Sequence, residues 1–252
     1  MIPTKIKKEN KKHKVDSEFF ETLEEVFDGS TVMAAYDLIR RKIIDHFNGA
    51  VASGKESRIY WAISSENKEL AVKIYLTTSA EFRKGIRKYL DEEMMKSYRK
   101  GYRWVIYEWC KREYSNLKKA YSAGVRVPQP IAYYKNLLVM EFIGSQGRPA
   151  PLIKDIPPSD PDKSYKIIIN YIEKLYTIAK IVHSDLSEFN IMNFNDDLVI
   201  IDLGQGVQNT HPMAEEYLLR DITNITRYFK FLGAKVEDPW NVFNKIVGFW
   251  VK

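Results

Sequence analysis

Residues 181–204, IVHSDLSEFNIMNFNDDLVIIDLG, decide the fold of this chain. Two apolar runs, 191–194 and 198–201, are separated by three polar residues, 195–197. Short apolar runs joined by a polar turn predict a tight β-hairpin. In such a hairpin the residue before the first strand lies beside the residue after the second. The stretch therefore predicts that its polar side chains meet at the base of the hairpin.

Three of those side chains can carry chemistry. Asn190 precedes the first strand, Asp202 follows the second, and Asp185 lies on the loop before them. Mg²⁺ takes one or two protein oxygens and completes its octahedron with phosphates and water, so Asn190 and Asp202 are predicted metal ligands. Asp185 is left to accept a hydroxyl proton. The spacing H-x-D-x-x-x-x-N, with D-x-G after a strand, is typical of kinase catalytic and metal loops.

Each of these residues, taken alone, also has an ordinary explanation. Asp and Asn before a strand are commonly turn or cap residues. His183 is predicted to brace the loop without doing chemistry, and residues 202–204 could form a simple turn. The combined spacing of residues 183, 185, 190 and 202, together with a phosphate-binding turn and a lysine upstream, would favour a Mg²⁺–nucleotide site over these ordinary explanations.

Length and composition limit the classes of protein to which this chain can belong. The chain has 252 residues, 45% hydrophobic and 29% charged, enough for one large domain or two small lobes. Its apolar runs are too short to span a bilayer, and its first ten residues contain no apolar core of a secretory signal. The single Cys110 excludes an internal disulfide and a multi-cysteine metal site, and suits a cytoplasmic location. A net charge of +6 favours an anionic partner.

The N-terminal 45 residues are predicted to form a basic tail followed by helices. Residues 1–14 contain six lysines and one glutamate, which suits either a solvating tail or nucleic-acid contact. Apolar spacing predicts one helix over 19–27 and another from 30 to 41. Three strands follow, over 47–53, 58–64 and 69–75.

The turn between the first two strands is the candidate phosphate loop. It consists of Ser53, Gly54, Lys55, Glu56 and Ser57. Small residues between antiparallel strands let backbone N–H groups approach a polyphosphate. With one glycine, the turn matches neither G-x-G-x-x-G nor the P-loop, and an ordinary hairpin explains it equally well.

Lys73 lies among apolar residues of the third strand. A buried lysine needs a carboxylate or a phosphate as partner, so Lys73 is predicted to hold the nucleotide phosphates. An edge lysine pointing to water is the alternative. Glu113, on a helix predicted over 105–123, is its expected partner, although other acidic residues flank that position.

Residues 81–108 are predicted to form a mobile basic insertion. From 81 to 119 there are twelve Lys or Arg residues against six Asp or Glu. Tyr89, Tyr98, Tyr102 and Trp104 interleave with the basic residues, a pattern that suits RNA or ribosome contact. A solvated helix and loop accounts for the same composition.

A hairpin over 131–134 and 137–142 is predicted to end the N-terminal lobe. The backbone around Met140, Glu141 and Ile143 could hydrogen-bond an adenine edge, and the glycine-bearing segment 144–147 is expected to be a hinge. The predicted domains are 1–45, 46–143 and 144–252. Beyond the hinge, a helix is predicted over 161–180.

The chain after Gly204 is unlike that of an ordinary protein kinase. A short loop over 205–210 leads directly to a helix that starts near Pro212. The expected fold is therefore α+β: a two-lobed protein-kinase-like fold whose N-lobe is an antiparallel sheet with one helix. The C-lobe is small and mostly helical, and lacks an activation segment and a peptide-docking subdomain.

The order of these parts, over about residues 30–235, resembles the RIO kinases, atypical kinase-like ATPases of ribosome assembly. The motifs that carry this resemblance are S-G-K-E-S, A-V-K-I-Y, E-Y-S-N-L, L-V-M-E-F-I-G, P-A-P-L-I-K-D, H-S-D-L-S-E-F-N-I, I-D-L-G-Q-G-V and H-P-M-A. The S-G-K-E turn and the P-A-P-L motif resemble the first, archaeal-type branch, and the N-terminal segment is short for the winged helix of the second. Where many relatives carry a serine, this chain has Gln205 between two glycines.

The resemblance implies ATP and Mg²⁺ as cofactors, with Mn²⁺ as a substitute. Asp185 would be the catalytic base, Asn190 and Asp202 would hold the metal, and Lys73 with Glu113 would hold the phosphates. Asp202 is also the residue thought to accept a phosphoryl group in the family's ATPase cycle. The implied partners are a small ribosomal subunit precursor, both RNA and protein, and the chain itself as an autophosphorylation substrate.

The sequence leaves three functional interpretations open. The first is an atypical serine/threonine kinase and ATPase in small-subunit maturation. The second is a small-molecule phosphotransferase of the aminoglycoside type, which shares H-x-D-x-x-x-x-N but is expected to carry an acidic C-terminal substrate pocket. The third is an assembly factor that is switched by ATP and is not a kinase.

Overall fold

The structure is a computed structural model that describes residues 27–77, 97 and 99–248. The predicted basic tail, the first predicted helix and most of the predicted insertion lie outside these residues. The chain divides into two compact units. The first comprises Met1–Lys111 and Pro130–Pro149, and the second comprises Arg112–Gln129 and Ala150–Lys252. The domain limits at residues 45 and 143 remain predictions.

An antiparallel sheet forms the centre of the first unit. Helix α1 (Gly29–Arg40) precedes the strands, whose spatial order is β1-β2-β3-β5-β4. The strands are β1 (His46–Ser53), β2 (Ser57–Ile63), β3 (Glu69–Tyr75), β4 (Pro130–Tyr134) and β5 (Leu137–Glu141). All of them were predicted to within two residues.

Helix α1 closes one face of this sheet. Asp28 caps the helix by accepting a hydrogen bond from the Thr31 backbone at 3.1 Å. Leu38 of α1 and Val72 of β3 are fully buried in one hydrophobic cluster. The core of α1 is thus continuous with the core of the sheet, so this helix packs as part of the first unit.

The segment expected to be a hinge is an ordered hairpin of strands β6 (Gly144–Ser145) and β7 (Arg148–Pro149). The carboxylate of Glu69 accepts hydrogen bonds from the backbone N–H groups of Gln146 and Gly147, at 3.1 and 2.9 Å. This anchors the turn to the start of β3.

Gly147 fits its position because it lacks a side chain. Its φ is +74°, and an added Cβ would lie 2.6 Å from the indole ring of Trp61. We expect Gly147→Ala to lower the free energy of unfolding by roughly 2–4 kcal/mol, because left-handed strain adds to overpacking. Gly49→Ala is the matched control, since no atom lies within 4 Å of its added Cβ. Denaturant unfolding of both variants checks this, and equal losses would contradict it.

The second unit is mostly helical. It contains the C-terminal half of α2 (Tyr102–Ser122), then α3 (Pro161–Thr177), α4 (Ala214–Phe231) and α5 (Pro239–Gly248). Two small sheets lie between α3 and α4. They are formed by β8 (Ile181–Val182) with β11 (Val207–Gln208), and by β9 (Ile191–Phe194) with β10 (Asp197–Ile200).

Helices α3 and α4 form the core of this unit through their apolar faces. Asp160 caps α3, and Pro161 follows at the first helical position, where its missing N–H is not needed. The rings of Tyr165 and Phe229 lie 5.9 Å apart between the two helices. Several of their residues are fully buried, among them Ile168, Ile222 and Ile225.

Two predicted helix starts need correction, and one helix was missed. Helix α2 begins at Tyr102 and not near Val105, so the last residues of the predicted insertion are helical. Helix α4 begins at Ala214, because Pro212 belongs to a turn closed by Ala214 N–H and His211 C=O. Helix α5 was not predicted. Within the described ranges, no helix is long and apolar enough to cross a membrane.

Candidate active site

The hairpin of β9 and β10 has the predicted form. Its register pairs Ile191 with Ile200, and the Ile201 N–H donates to the Asn190 carbonyl at 3.0 Å. This bond at the base of the hairpin sets Asn190 beside the residue pair Ile201–Asp202. Ile191, Val199 and Ile200 are fully buried, so a shift of the register by one residue would carry apolar side chains to solvent.

Asn190 connects the hairpin to the loop that carries Asp185. Its Nδ2 donates to the Asp185 carbonyl at 2.7 Å. Because a carbonyl can only accept, this bond directs the amide nitrogen to the loop and leaves the amide oxygen for another partner. The proximity of the Asn190 side chain also acts to lower the pKa of the Asp185 carboxyl, against the larger effect of burial. The predicted base and one predicted metal ligand are therefore in direct contact.

The carboxylates of Asp185 and Asp202 influence one another. Partial burial raises the pKa of Asp185, although the residue as a whole is exposed, and the charge of Asp202 raises it further. The charges of His183 and Arg220 act in the opposite direction. Each ionised carboxylate disfavours ionisation of the other. A divalent cation bound between them would offset this repulsion and stabilise both charged forms.

The donors here suit Mg²⁺. Among the described residues, no group of three or more His, Cys, Asp or Glu side chains is placed to hold a metal ion. A cation at this position would draw on the amide oxygen of Asn190, the carboxylate of Asp202, phosphates and water. This matches the sparse protein coordination that Mg²⁺ tolerates.

Asp202 has a left-handed backbone conformation, with φ 62° and ψ 63°. This conformation is uncommon for a residue with a side chain. A short 3₁₀ turn, Leu203–Gln205, follows it directly. Because Asp202 is joined directly to this turn, contacts that hold the turn in place also hold the backbone of Asp202.

Helix α2 holds the turn through two side chains that no sequence pattern singled out. The buried Asn116 donates to the carbonyls of Leu203 and Gly206, at 3.0 and 3.1 Å. Arg112 donates to the Gly206 carbonyl at 2.8 Å. An added Cβ on Gly206 would lie 3.0 Å from the Asn116 amide, so a glycine fits best here. The only signal in the sequence was the E-Y-S-N-L motif, in which Asn116 had no assigned role.

Asp221 of α4 braces the loop around Asp185. Its carboxylate accepts hydrogen bonds from the backbone N–H groups of Ser184 and Leu186, at 2.8 and 3.0 Å. Ser184 has a φ of 71°, and its carbonyl accepts a hydrogen bond from Arg220. Asp221 thereby fixes both neighbours of Asp185. It is distant from the loop in sequence, and no local pattern predicted its role.

His183 has the bracing role that was expected of it. The ring is buried, and its Nε2 lies 3.0 Å from the Ile201 carbonyl, next to Asp202. It thus connects the loop of Asp185 to the end of β10. The ring does not stand where a substrate could reach it.

The buried carboxylate of Asp221 should make stability depend on pH. Burial raises its pKa from 3.8 to about 6, against the opposing effects of His183 and two backbone hydrogen bonds. The folded chain therefore holds this proton at pH values where the unfolded chain has released it, and stability falls as pH rises from about 4 to 6. The difference in pKa corresponds to roughly 3 kcal/mol.

Comparison with Asp221→Asn isolates this effect, because the other carboxyl groups titrate in both proteins. The quantity to follow is the difference between the free energies of unfolding of the parent and of the variant. We expect this difference to fall by roughly 3 kcal/mol as the pH rises from about 4 to about 7. Urea unfolding at a series of pH values measures it. Parallel curves would show that Asp221 does not titrate as its burial requires.

Lys73 occupies a buried position in the first unit. It lies on β3 between Ile59 of β2 and Leu138 of β5, and only 7% of its surface is exposed. This excludes the alternative of an edge lysine pointing to water. Its Nζ lies 5.1 Å from the centre of the Tyr75 ring. Burial raises the pKa of the Cys110 thiol, and the nearby Lys73 charge opposes that rise.

The other predicted nucleotide-binding residues of the first unit lie at two places on the sheet. The turn of Ser53, Gly54, Lys55, Glu56 and Ser57 joins β1 to β2 and is closed by Gly54 N–H and Ser57 C=O at 2.9 Å. Met140 and Glu141 end β5, opposite Ala71 and Leu70. Ile143, two residues on, is buried.

The structure thus brings Asp185, Asn190 and Asp202 together within the second unit. Lys73, the turn and the end of β5 belong to the first unit. Glu113 is buried but belongs to the second unit, so its pairing with Lys73 stays a prediction. Ser97 is the only serine or threonine between residues 81 and 105 and thus a candidate autophosphorylation site, but it is buried, which does not favour it as an acceptor.

Comparison with known proteins shows the family to which the chain is similar. A family model described as RIO domain matches residues 58–240. The RIO-type serine/threonine-protein kinase Rio1 of Haloferax volcanii is 37% identical over 225 residues, which are 88% of this chain and 76% of that protein. The serine/threonine-protein kinase RIO1 of Caenorhabditis elegans is 35% identical over 233 residues, 90% of this chain but 45% of that protein.

A solved structure shows the same fold. The crystal structure of the Rio2 kinase-ADP/Mg²⁺-phosphoaspartate complex from Chaetomium thermophilum superposes with a TM-score of 0.67 at 25% sequence identity. The match covers 86% of this chain and 67% of that chain. The predicted α+β, kinase-like fold is confirmed.

Proposed function

The chain belongs to the RIO family of atypical serine/threonine protein kinases, with similarity to its archaeal-type Rio1 members, and from that premise we propose that it transfers the γ-phosphoryl group of Mg·ATP. The acceptor is a serine or threonine hydroxyl or, in an ATPase cycle, ultimately water. We place this activity in maturation of the small ribosomal subunit. One observation carries the proposal: the base of the β9–β10 hairpin brings Asn190, Asp202 and Asp185 together.

In this proposal the second unit supplies the chemistry. The acceptor hydroxyl oxygen attacks the γ-phosphorus, the bond to the β-phosphate oxygen breaks, and ADP leaves. Asp185 takes the hydroxyl proton, and its raised pKa suits a general base better than that of a fully solvated carboxylate. Asn190 and Asp202 would hold Mg²⁺ or, in its place, Mn²⁺, and a cation there would supply neutralisation of the phosphate charge.

The first unit supplies the nucleotide contacts. Lys73 pairs with the phosphates and with Glu113, and the turn 53–57 covers the triphosphate. The backbone of Met140, Glu141 and Ile143 binds the adenine edge. The burial of Lys73 supports this role, because the ammonium of a lysine residue that is only 7% exposed needs an anionic partner.

Asp202 has a second proposed role. In the ATPase cycle its carboxylate oxygen attacks the γ-phosphorus and forms an acyl phosphate as ADP leaves, and water then releases phosphate. The related Rio2 structure is a complex with phosphoaspartate, which supports this step. The left-handed backbone of Asp202, held by the Asn116-bound turn, is consistent with a fixed carboxylate at this position.

The ribosomal partner is proposed from family membership and from charge. The net charge of +6 favours RNA, and the proposed partner is a precursor of the small subunit with its RNA and protein. The single buried cysteine agrees with a proposed cytoplasmic location. The protein itself is a further proposed acceptor, through autophosphorylation.

Sedimentation of the full chain with small-subunit precursor particles, with and without ATP, tests the proposal alongside phosphate release. We expect cosedimentation that is sensitive to ATP, together with release of phosphate. Binding without release would favour an ATP-switched factor that is not a kinase. Phosphorylation of a small aminoglycoside-type substrate without particle binding would favour the small-molecule phosphotransferase.

A further inference from the structure

Cationic and aromatic side chains form a continuous row on the first unit. We call this row the basic–aromatic stripe. It joins the start of α2, the start of α1, the β4–β5 turn and the residue that follows α1. Its members are Arg41, Lys100, Arg103, Trp104, Tyr107, Tyr134 and Lys135.

The first part of the stripe lies at the start of α2. The ammonium of Lys100 is 5.9 Å from the centre of the Trp104 ring. The rings of Trp104 and Tyr107 meet edge to face, with centres 5.6 Å apart. The Tyr107 hydroxyl then lies 3.2 Å from the hydroxyl of Ser30, at the start of α1.

The second part continues from the same serine. Lys135 Nζ donates to Ser30 Oγ at 3.2 Å and lies 5.5 Å from the centre of the Tyr134 ring. The guanidinium of Arg41 stacks on that ring at 4.4 Å. Arg41 and Lys135 therefore both lie against the ring of Tyr134, as Lys100 lies against that of Trp104.

A cavity opens beside Trp104. It has a volume of about 480 Å³ and is lined by Asp28, Thr77 and residues 100–104. Trp104 is 50% exposed, so its indole ring is accessible at the cavity. The carboxylate of Asp28 is engaged by Thr77 Oγ1 at 2.6 Å and by the Thr31 backbone, and Arg103 lies 3.4 Å from it. The negative charge of Asp28 on the cavity wall is thus balanced by these hydrogen-bond donors and by Arg103.

We infer that this stripe binds single-stranded RNA, with phosphates along the cations and one unstacked base in the cavity against Trp104. Surfaces for single-stranded nucleic acid combine a cationic track with exposed aromatic rings on which bases stack. An acidic peptide would use the cations but has no need of a flat ring beside a cavity. The inference deepens the proposed ribosomal function and rests on it only for the source of the RNA.

Fluorescence anisotropy of a labelled single-stranded RNA oligonucleotide, with the full chain and without nucleotide, tests the inference. We expect Trp104→Ala to weaken binding about 5- to 100-fold, and Trp104→Phe to restore most of the loss. Lys135→Gln should reduce the slope of log affinity against log salt by about 0.7. Lys68→Gln is the control, because this exposed lysine is paired with Glu66 at the β2–β3 turn, outside the stripe.

The outcomes separate the alternatives. RNA affinity that Trp104→Ala leaves unchanged, in a variant with the parent melting temperature, would overturn the inference. Displacement of the RNA by an acidic peptide at equal charge concentration would do the same, and would indicate a protein partner. The RNA-binding assay contains no ATP, so its result does not depend on ATP turnover. A chain that binds RNA through the stripe but does not turn over ATP would contradict the proposed function and leave this inference standing.

Discussion

Asp185→Asn is expected to lower the rate of phosphoryl transfer by about 10²- to 10⁴-fold while leaving Mg·ATP affinity within a few-fold of the parent. The substitution removes the proton acceptor but keeps the size of the side chain and adds no charge next to Asn190. Because the Asn190 amide bonds the backbone carbonyl of residue 185, that contact survives the change. Titration calorimetry with a nucleotide and a transfer assay with γ-labelled ATP measure the two quantities separately.

Asp197→Asn is the matched control for this experiment. Asp197 lies at the far end of the same hairpin, where it pairs with Arg126 at 2.8 Å. Its loss should leave the transfer rate near that of the parent. If Asp185→Asn binds ATP and transfers phosphate at the parent rate, Asp185 is not the base.

Asp202→Ala is expected to reduce transfer to the background of the assay, a loss of at least about 10³-fold, and to weaken the Mg²⁺ dependence of nucleotide binding. It removes a proposed metal ligand that is also the proposed phosphoryl acceptor. Asn190 alone would then be left to hold the cation. Asp197→Ala on the same hairpin separates this loss from a general effect of removing a carboxylate.

Two measurements distinguish a chemical from a structural cause. The Asp202→Ala variant should keep its cooperative unfolding transition, because the side chain of Asp202 is exposed and its turn is held by Asn116 and Arg112. Its affinity for ADP should lose its response to Mg²⁺. A variant that still binds ADP more tightly with Mg²⁺ than without it would show that Asp202 is not a metal ligand.

The hairpin could be predicted because its signals are local. Two short apolar runs, a polar turn and flanking polar groups all lie within residues 190–202, and tight turns leave little freedom in how the ends meet. The same reasoning found the sheet of the first unit. The buried position of Lys73 followed from its apolar neighbours in β3, and the structure bears it out.

The supports of the site could not be predicted, because they come from distant helices. Asp221 reaches the loop of Asp185 from α4, and Asn116 reaches the turn after Asp202 from α2. In sequence each is an ordinary polar residue on an amphipathic helix, and nothing in helical periodicity selects it among its neighbours. Their hydrogen-bond partners are backbone groups, which leave no mark in the sequence.

The form of the expected hinge could not be predicted either. Residues 144–147 were expected to join two lobes, which stays a prediction, and the structure shows that both of their glycines lie at positive φ in a tight hairpin that Glu69 anchors from the start of β3. A glycine required by close packing against Trp61 and one required by motion look the same in a single sequence.

Transfer of label from γ-labelled ATP by the full chain, with Mg²⁺ and with EDTA, measures whether residues 185, 190 and 202 form a Mg²⁺-dependent active site. The arrangement of Asp185, Asn190 and Asp202 predicts Mg²⁺-dependent transfer to protein or release as phosphate, lost with EDTA and in Asp202→Ala. Unchanged ATP, in a preparation that binds the nucleotide and unfolds cooperatively, would contradict it.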